Sequence, residues 1–457
     1  MNVKNKIIAV VGAAKSGISV CRFLVKNGAK VLLFDAKSED KFTNEEISKL
    51  KSLGVELYLG EEPDDCLENI NYIVLSPGVP ADKPFISKAK KLGIEVIGEV
   101  ELAYRYCKSN KIIAITGTNG KTTTTTLTTE LLKNAGYNVK MCGNIGVPFI
   151  DCVEDSSDGD VFVLEISSFQ LETIEKFKPY VAAILNITPD HLDRHKTLSE
   201  YINAKLKIFS NMDNNCFSVL NMDNSETKML IDDVHGKLIK FSKWELNYEN
   251  SVYSKAGIIY IKYNNKVIPV MNVSDIFIPG EHNLENALAA IACTLPFNIP
   301  PDVIRETLRI FKGVEHRIEY ITTLNKRKFY NDSKGTNTDA AIKALNSFKN
   351  PIILIAGGYD KGEDFDNFAQ KINEKVKHVM LIGTTAKKIS DSLEKINYKN
   401  YTFCTTLKEA VIKAYEVSKE EDIILLSPAC ASWDMFENYE QRGRLFKEYV
   451  LEIERSL

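Results

Sequence analysis

At 457 residues the chain is too long for one hydrophobic core, and two to three domains are expected. A composition of 44% hydrophobic and 26% charged residues is that of an ordinary globular protein, and a formal net charge of −3 gives no reason to expect a nucleic-acid partner. The apolar run near the N-terminus, residues 7–11, is too short for a signal core and far too short to span a bilayer. No other stretch qualifies, so a cytoplasmic protein without membrane insertion is expected.

The nine cysteines are scattered without a C-x-x-C pair, which argues against a disulfide framework or structural zinc and for buried thiols in a reducing compartment. No repeat or low-complexity linker marks a domain edge.

The first region alternates β-rich runs (6–11, 30–34, 72–75) with a helical stretch over 19–27. Gly12-Ala-Ala-Lys-Ser-Gly17 follows the first strand and Asp35 ends the second, an approximate dinucleotide fingerprint with Ala14 at the middle glycine position. The Ala14 methyl would crowd a close pyrophosphate, which speaks against NAD and for a nucleotide held less intimately. A ligand-free turn is the alternative.

T-G-T-N-G-K-T-T, residues 116–123, carries the strongest signal. Apolar Ile112, Ile113 and Ile115 predict a buried strand. Gly117 and Gly120 then permit a tight turn that presents backbone N–H groups, Lys121 adds a cation, and the Thr122 hydroxyl can reach Mg²⁺. Leu127, Leu131 and Leu132 have helical spacing, so a bound phosphate would also meet a helix N-terminus. Only two residues separate the glycines, a departure from the common spacing that still points to ATP or GTP. Further strands are predicted at 160–165 and 181–187. Glu165 ends the first of these, where a carboxylate is costly to bury unless paired or bound to a metal. In residues 190–195, D-H-L-D-R-H, the four-residue spacing of His191 and His195 lacks the glutamate of a zinc protease. His191 is a candidate for Mg²⁺ or phosphate, and His195 is expected at the surface. Asn283 and Asn286 would share one face of an alanine-rich helix, for a purine edge or simply as caps.

Near Gly313 the pattern restarts, with strands expected at 328–331, 352–356, 378–382 and 422–426. Arg317 or Lys334 could steady phosphate charge, Asp332 could hold a ribose, and Lys361 could meet a substrate carboxylate. Cys430 has no histidine nearby in sequence to activate it as a nucleophile.

Six ordered motifs resemble the Mur ligase family of bacterial peptidoglycan synthesis: T-G-T-N-G-K-T-T, E-I-S-S-F-Q, D-H-L-D-R-H, G-E-H-N-x-x-N, the H-R pair at 316–317, and N-D-S-K-G-T-N at 331–337. The resemblance covers essentially the whole chain. The form of the second motif, S-P-A-C-A-S-W-D-M-F-x-N-Y-E-Q-R-G near the C-terminus and the absence of D-N-P-R place it with the D-glutamate-adding branch.

That resemblance implies three α/β domains, each a mainly parallel sheet flanked by helices. They are a Rossmann-like UDP-substrate domain at 1–98, a central P-loop ATPase-type domain at 99–313 and a C-terminal Rossmann-like amino-acid domain at 314–457. It implies a monomer that uses ATP and Mg²⁺ to join D-glutamate to UDP-N-acetylmuramoyl-L-alanine through an acyl phosphate. For ATP it implies Gly117, Thr118, Asn119, Gly120, Lys121, Thr122, Thr123, Asn283, Asn286, Arg317 and Asp332. For metal it implies Thr122, Glu165, His191 and a carbamylated Lys205; Glu165, His191 and Lys205 form the catalytic set with Lys121. The UDP substrate falls to Ser16, Asp35, Lys37, Ser76, Pro77, Gly78 and Asn144, and D-glutamate to Thr336, Lys361, Ser432 and Tyr439. Lys15 and Tyr439 depart from the family's usual residues.

Overall fold

The computed structural model describes residues 1–456, with the backbone only of Asp65, Leu192 and Asp193. Among these residues the strands form three sheets of five, nine and six strands. This is a three-domain α/β architecture with mainly parallel sheets flanked by helices.

The first sheet holds β1 (Ile7–Val11), β2 (Lys30–Asp35), β3 (Glu56–Leu59), β4 (Tyr72–Leu75) and β5 (Glu95–Gly98), all parallel in the order β3-β2-β1-β4-β5. Ile8, Val10 and Leu33 pack on one face while Ala9, Val11 and Phe34 pack on the other. Burial on both faces explains why these strands read as continuous apolar runs instead of alternating ones. The order reverses between β1 and β4, so their carboxyl ends open a crevice suited to a ligand.

The second sheet centres on β6 (Ile112–Thr116), with β8 (Val161–Glu165) and then β7 (Val139–Gly143) on one side. On the other side lie β9 (Val181–Ile184), β10 (Phe217–Asn221), β11 (Lys237–Ser242) and β12 (Ser251–Lys255). All of these are parallel; only β13 (Ile258–Tyr263) and β14 (Lys266–Asn272) extend the edge antiparallel. Each residue of β6, β8 and β9 is buried.

The third sheet runs β15 (Glu319–Leu324), β16 (Arg327–Asn331), β20 (Ile423–Leu426), β17 (Ile352–Ala356), β18 (Val376–Leu381) and β19 (Tyr401–Phe403) in that order, with only β15 antiparallel.

The chain divides into two compact units. One comprises Met1–Asp275 with Leu284–Arg309 and holds the first two sheets; the other comprises Ile276–Asn283 with the described chain from Ile310 onward and holds the third. Within the first unit, Glu101 is fully buried. It accepts from the backbone N–H groups of Glu175, Lys176 and Phe177 and from Arg105 Nε at 2.7 Å, which fastens the first sheet's last helix to the second sheet. No described helix is long and apolar enough to cross a membrane.

Candidate active site

The crevice of the first sheet is built by its own loops. Gly12 donates from its backbone N to Phe34 O at 2.7 Å, and Asp35 accepts from the backbone N of Ala13 (2.7 Å) and Lys37 (2.8 Å). The Ser76 hydroxyl donates to Gly12 O at 2.9 Å. Asp35 and Ser76 therefore brace the turn that leads into helix Lys15–Lys26, with Ser16 in its first turn. The cavity beside it, about 740 Å³, is lined by Lys15, Arg22, Lys37 and Lys41 against Glu46 and Asp151. Four cations over two carboxylates suit an anion such as a diphosphate. Lys15 Nζ also donates to Gly146 O.

After β6 the chain turns through Gly117–Gly120 into helix Lys121–Asn134. Gly120 has φ +82°, a conformation that favours glycine, and a Cβ there would lie 2.3 Å from Asn286 Oδ1 and displace that amide. Asn186, just past β9, fixes the loop from the side: its Oδ1 accepts from Asn119 N at 2.8 Å and its amide donates to Asn119 O at 3.1 Å. Thr118 donates from its backbone N to Asn186 O at 2.9 Å, and its hydroxyl lies 3.2 Å from the Tyr201 hydroxyl. Lys121 Nζ donates to Gly117 O and Thr118 O at 2.9 Å each. Thr122 and Thr123 are buried in the first helical turn.

Glu165 ends β8, 2% exposed. Asn144 donates from its amide to Oε1 at 2.8 Å and from its backbone N to Glu165 O at 2.8 Å, while Oε2 is buried without a protein partner. A buried carboxylate oxygen without a protein partner fits a cation ligand better than a purely structural group. Lys205, 1% exposed, donates to Gly117 O at 3.0 Å, and burial together with the nearby Lys121 charge lowers its pKa to about 7. A large share of neutral amine at neutral pH is the form that can take up CO₂. His191 has φ +52° and is exposed, with its ring 5.0 Å from Phe169.

The second unit carries a group of its own on loops that follow parallel strands. Asp332, just past β16, accepts from Ser427 Oγ at 2.7 Å and from Ile318 N at 3.3 Å, and burial pushes its pKa up to about 7. Arg317 Nε is buried without a protein partner. The loops after β17 and β20 meet through Tyr359 N and Ala431 O at 2.9 Å, which places Lys361 near buried Ser432; Lys361 Nζ lies 5.3 Å from the Trp433 ring centre. Tyr439 opens the last helix, 6.2 Å from the His316 ring. The fully buried Arg442 donates to Ser333 Oγ and to the carbonyls of Ser333, Cys430 and Ala431, tying these loops together. Thr336 belongs to the same turn; its N donates to Lys334 O at 2.9 Å. Asn283 donates to Pro279 O at 2.6 Å.

Three family models match in order: the Mur ligase MurD-like N-terminal domain over residues 6–98, the Mur ligase middle domain over 115–294, and the Mur ligase glutamate ligase domain over 316–430. The chain belongs to the Mur ligase family. It is 58% identical over 453 residues to the UDP-N-acetylmuramoylalanine–D-glutamate ligase of Caldicellulosiruptor saccharolyticus, covering 99% of this chain and 100% of that one. The proteins of the same name from Thermoanaerobacter pseudethanolicus (50%, all of both chains) and Clostridioides difficile (46%, 98% and 99%) are similar throughout. Among solved structures, the Mur ligase fold here resembles UDP-N-acetylmuramate–alanine ligase MurC from Thermotoga maritima. That likeness has TM-score 0.59 at 22% identity and covers 98% of this chain and 99% of that one.

Two sequence expectations need correction. His195 is buried: its Nε2 lies 2.9 Å from Ser168 Oγ and its ring stacks on Phe169 at 5.4 Å, so it braces the E-I-S-S-F-Q segment. The first helix begins at Lys15, four residues before the expected start, because Ala14 caps it without a side-chain signal. Cys430 is buried and its pKa is pushed up to about 11 by burial, which removes it as a nucleophile in keeping with the sequence reading. Sequence reasoning assigned no role to Tyr201 or Arg442. An arginine and a tyrosine inside polar motifs give no sign of burial until the neighbouring elements are placed.

Proposed function

We propose that this Mur ligase joins the amine of D-glutamate to the terminal carboxylate of UDP-N-acetylmuramoyl-L-alanine with consumption of ATP. We place it in the cytoplasm as a monomer in peptidoglycan precursor synthesis, with domains at 1–98, 99–313 and 314–457. The observation that carries the reading is the buried Glu165 oxygen without a protein partner, on the strand beside a phosphate loop. It joins full-length similarity to three proteins that bear the corresponding name.

In this reading Gly117, Thr118, Asn119, Gly120 and Thr123 offer backbone and hydroxyl groups to the ATP phosphates, and Lys121 meets the β and γ groups. Asn283, Asn286, Arg317 and Asp332 complete the ATP contacts. Thr122 and Glu165 would hold one Mg²⁺, and His191 with a carbamylated Lys205 a second; bound there, the ions would supply positive charge beside the phosphates. The crevice residues Ser16, Asp35, Lys37, Ser76, Pro77 and Gly78, together with Asn144, orient the UDP substrate. Its carboxylate oxygen attacks the γ-phosphorus as the bond to ADP breaks, giving an acyl phosphate. The D-glutamate amine, oriented by Thr336, Lys361, Ser432 and Tyr439, then attacks the carbonyl carbon. The amine loses its proton and inorganic phosphate leaves. A free carboxylate is a poor acylating group, and phosphorylation supplies the leaving group it lacks.

Lys121→Ala tests the core of this assignment. Phosphate release should fall by at least about a thousandfold, with thermal unfolding unchanged. Ligation near the wild-type rate would remove the loop from the mechanism.

A further inference from the structure

Arg194 lies three residues after His191 and reaches back across the first unit to the crevice of the first sheet. Its Nη1 donates to Pro77 O at 3.1 Å and Gly78 O at 3.3 Å, and its Nη2 to Val79 O at 3.1 Å and Glu172 Oε2 at 2.8 Å. The guanidinium also lies over the Phe169 ring, 4.3 Å from its centre. Three successive carbonyls and a carboxylate thus converge on one flat cation, whose side chain is 16% exposed. Lysine, a point charge with three donors and no planar fork, cannot reproduce this four-acceptor arrangement.

Both ends of this link lead to groups assigned above. The turn at 76–79 is closed by Val79 N donating to Ser76 O at 2.9 Å, and Ser76 is in turn bonded to Gly12. At the other end, the Phe169 ring that Arg194 covers also meets the rings of His191 and His195. Glu172, which holds the far edge of the guanidinium, lies 3.7 Å from His195 Nδ1.

We infer that Arg194 is a positioning residue that keeps the nucleotide-sugar turn in register with the segment carrying His191. The inference rests on the proposed reading of the crevice as the UDP-substrate site. Arg194 itself need touch neither ligand: without its fork the three carbonyls lose their common partner and the turn that bears Ser76 and Gly78 is free to drift. Nucleotide-sugar affinity and turnover should then suffer together, while ATP affinity should not.

The test compares wild type, Arg194→Lys and Arg194→Ala by calorimetric titration with UDP-N-acetylmuramoyl-L-alanine, and separately with ATP and Mg²⁺, alongside thermal unfolding and steady-state rates. Arg194→Lys should weaken nucleotide-sugar binding by about tenfold and lower kcat, with ATP affinity within about twofold and unfolding little changed. Arg194→Ala should do more of the same; should it not fold, the lysine variant alone decides. Unchanged nucleotide-sugar affinity would overturn the inference. So would an equal loss for both ligands accompanied by a drop in unfolding temperature, the mark of a merely structural residue. A wild-type protein that fails to bind the nucleotide sugar would instead sink the proposed function before any variant is compared.

Discussion

Lys361 and Ser432 bear on which amino acid this ligase accepts. Ser432 is buried at the carboxyl end of the third sheet, and Lys361 offers a cation on the loop that pairs with its own. A carboxylate substrate held by both would lose a charge-assisted hydrogen bond with either change. Lys361→Ala and Ser432→Ala should each raise KM for D-glutamate by roughly tenfold to a hundredfold and leave KM for ATP within a few-fold. Steady-state titration of each substrate checks this, and equal rises for both ligands would undo the assignment of these loops to the amino acid. The sequence marked Lys361 as a candidate partner for a substrate carboxylate and showed Ser432 only as a member of a motif. What it could not show is that Arg442 gathers the loops, because a buried guanidinium and a solvated one are spelled alike.

Helix Glu99–Tyr106, the link after the first sheet, opens with a carboxylate that is 2% exposed. Glu99 Oε1 accepts from Ile150 N at 2.7 Å, while Oε2 has no partner, and burial pushes its pKa from the ordinary 4.5 to about 7. The folded state therefore binds the proton more tightly than the unfolded chain. Stability falls as pH rises from about 4.5 to about 7 and stays lower above that window. Glu99→Gln removes the dependence while keeping an acceptor for Ile150. Its unfolding temperature should exceed wild type by more at pH 8 than at pH 5, with a differential of up to about 3 kcal/mol. Thermal melts at both values decide it; parallel curves across the range would contradict the burial argument. At this scale several buried parallel strands were legible, since apolar runs such as 352–356 have no other comfortable place, but the equally buried Phe217–Asn221 was not read. The short strands Glu56–Leu59 and Glu95–Gly98 were not: unlike the equally short Tyr72–Leu75, each opens on a glutamate and carries only two aliphatic residues. The misplaced start of the first helix has a related cause: Ala14 offers no capping side chain to read.

Across the whole molecule, the described strands form three sheets, one in each region that motif order suggested, while the chain divides into two compact units. Motif order was legible because phosphate loops and metal carboxylates tolerate few residue types at each position. Bracing residues such as Arg194 and His195 were not, since their roles depend on contacts between distant segments. One chain should activate a nucleotide-sugar acid with ATP and pass it to D-glutamate. The most direct measurement is phosphate release, with product mass, from UDP-N-acetylmuramoyl-L-alanine, ATP and Mg²⁺ against a panel of D- and L-amino acids. Release should depend on D-glutamate and be matched by an equal amount of the D-glutamyl product. Turnover driven by alanine, lysine or diaminopimelate in its place, or ATP hydrolysis without a new amide, would rule out D-glutamate ligation.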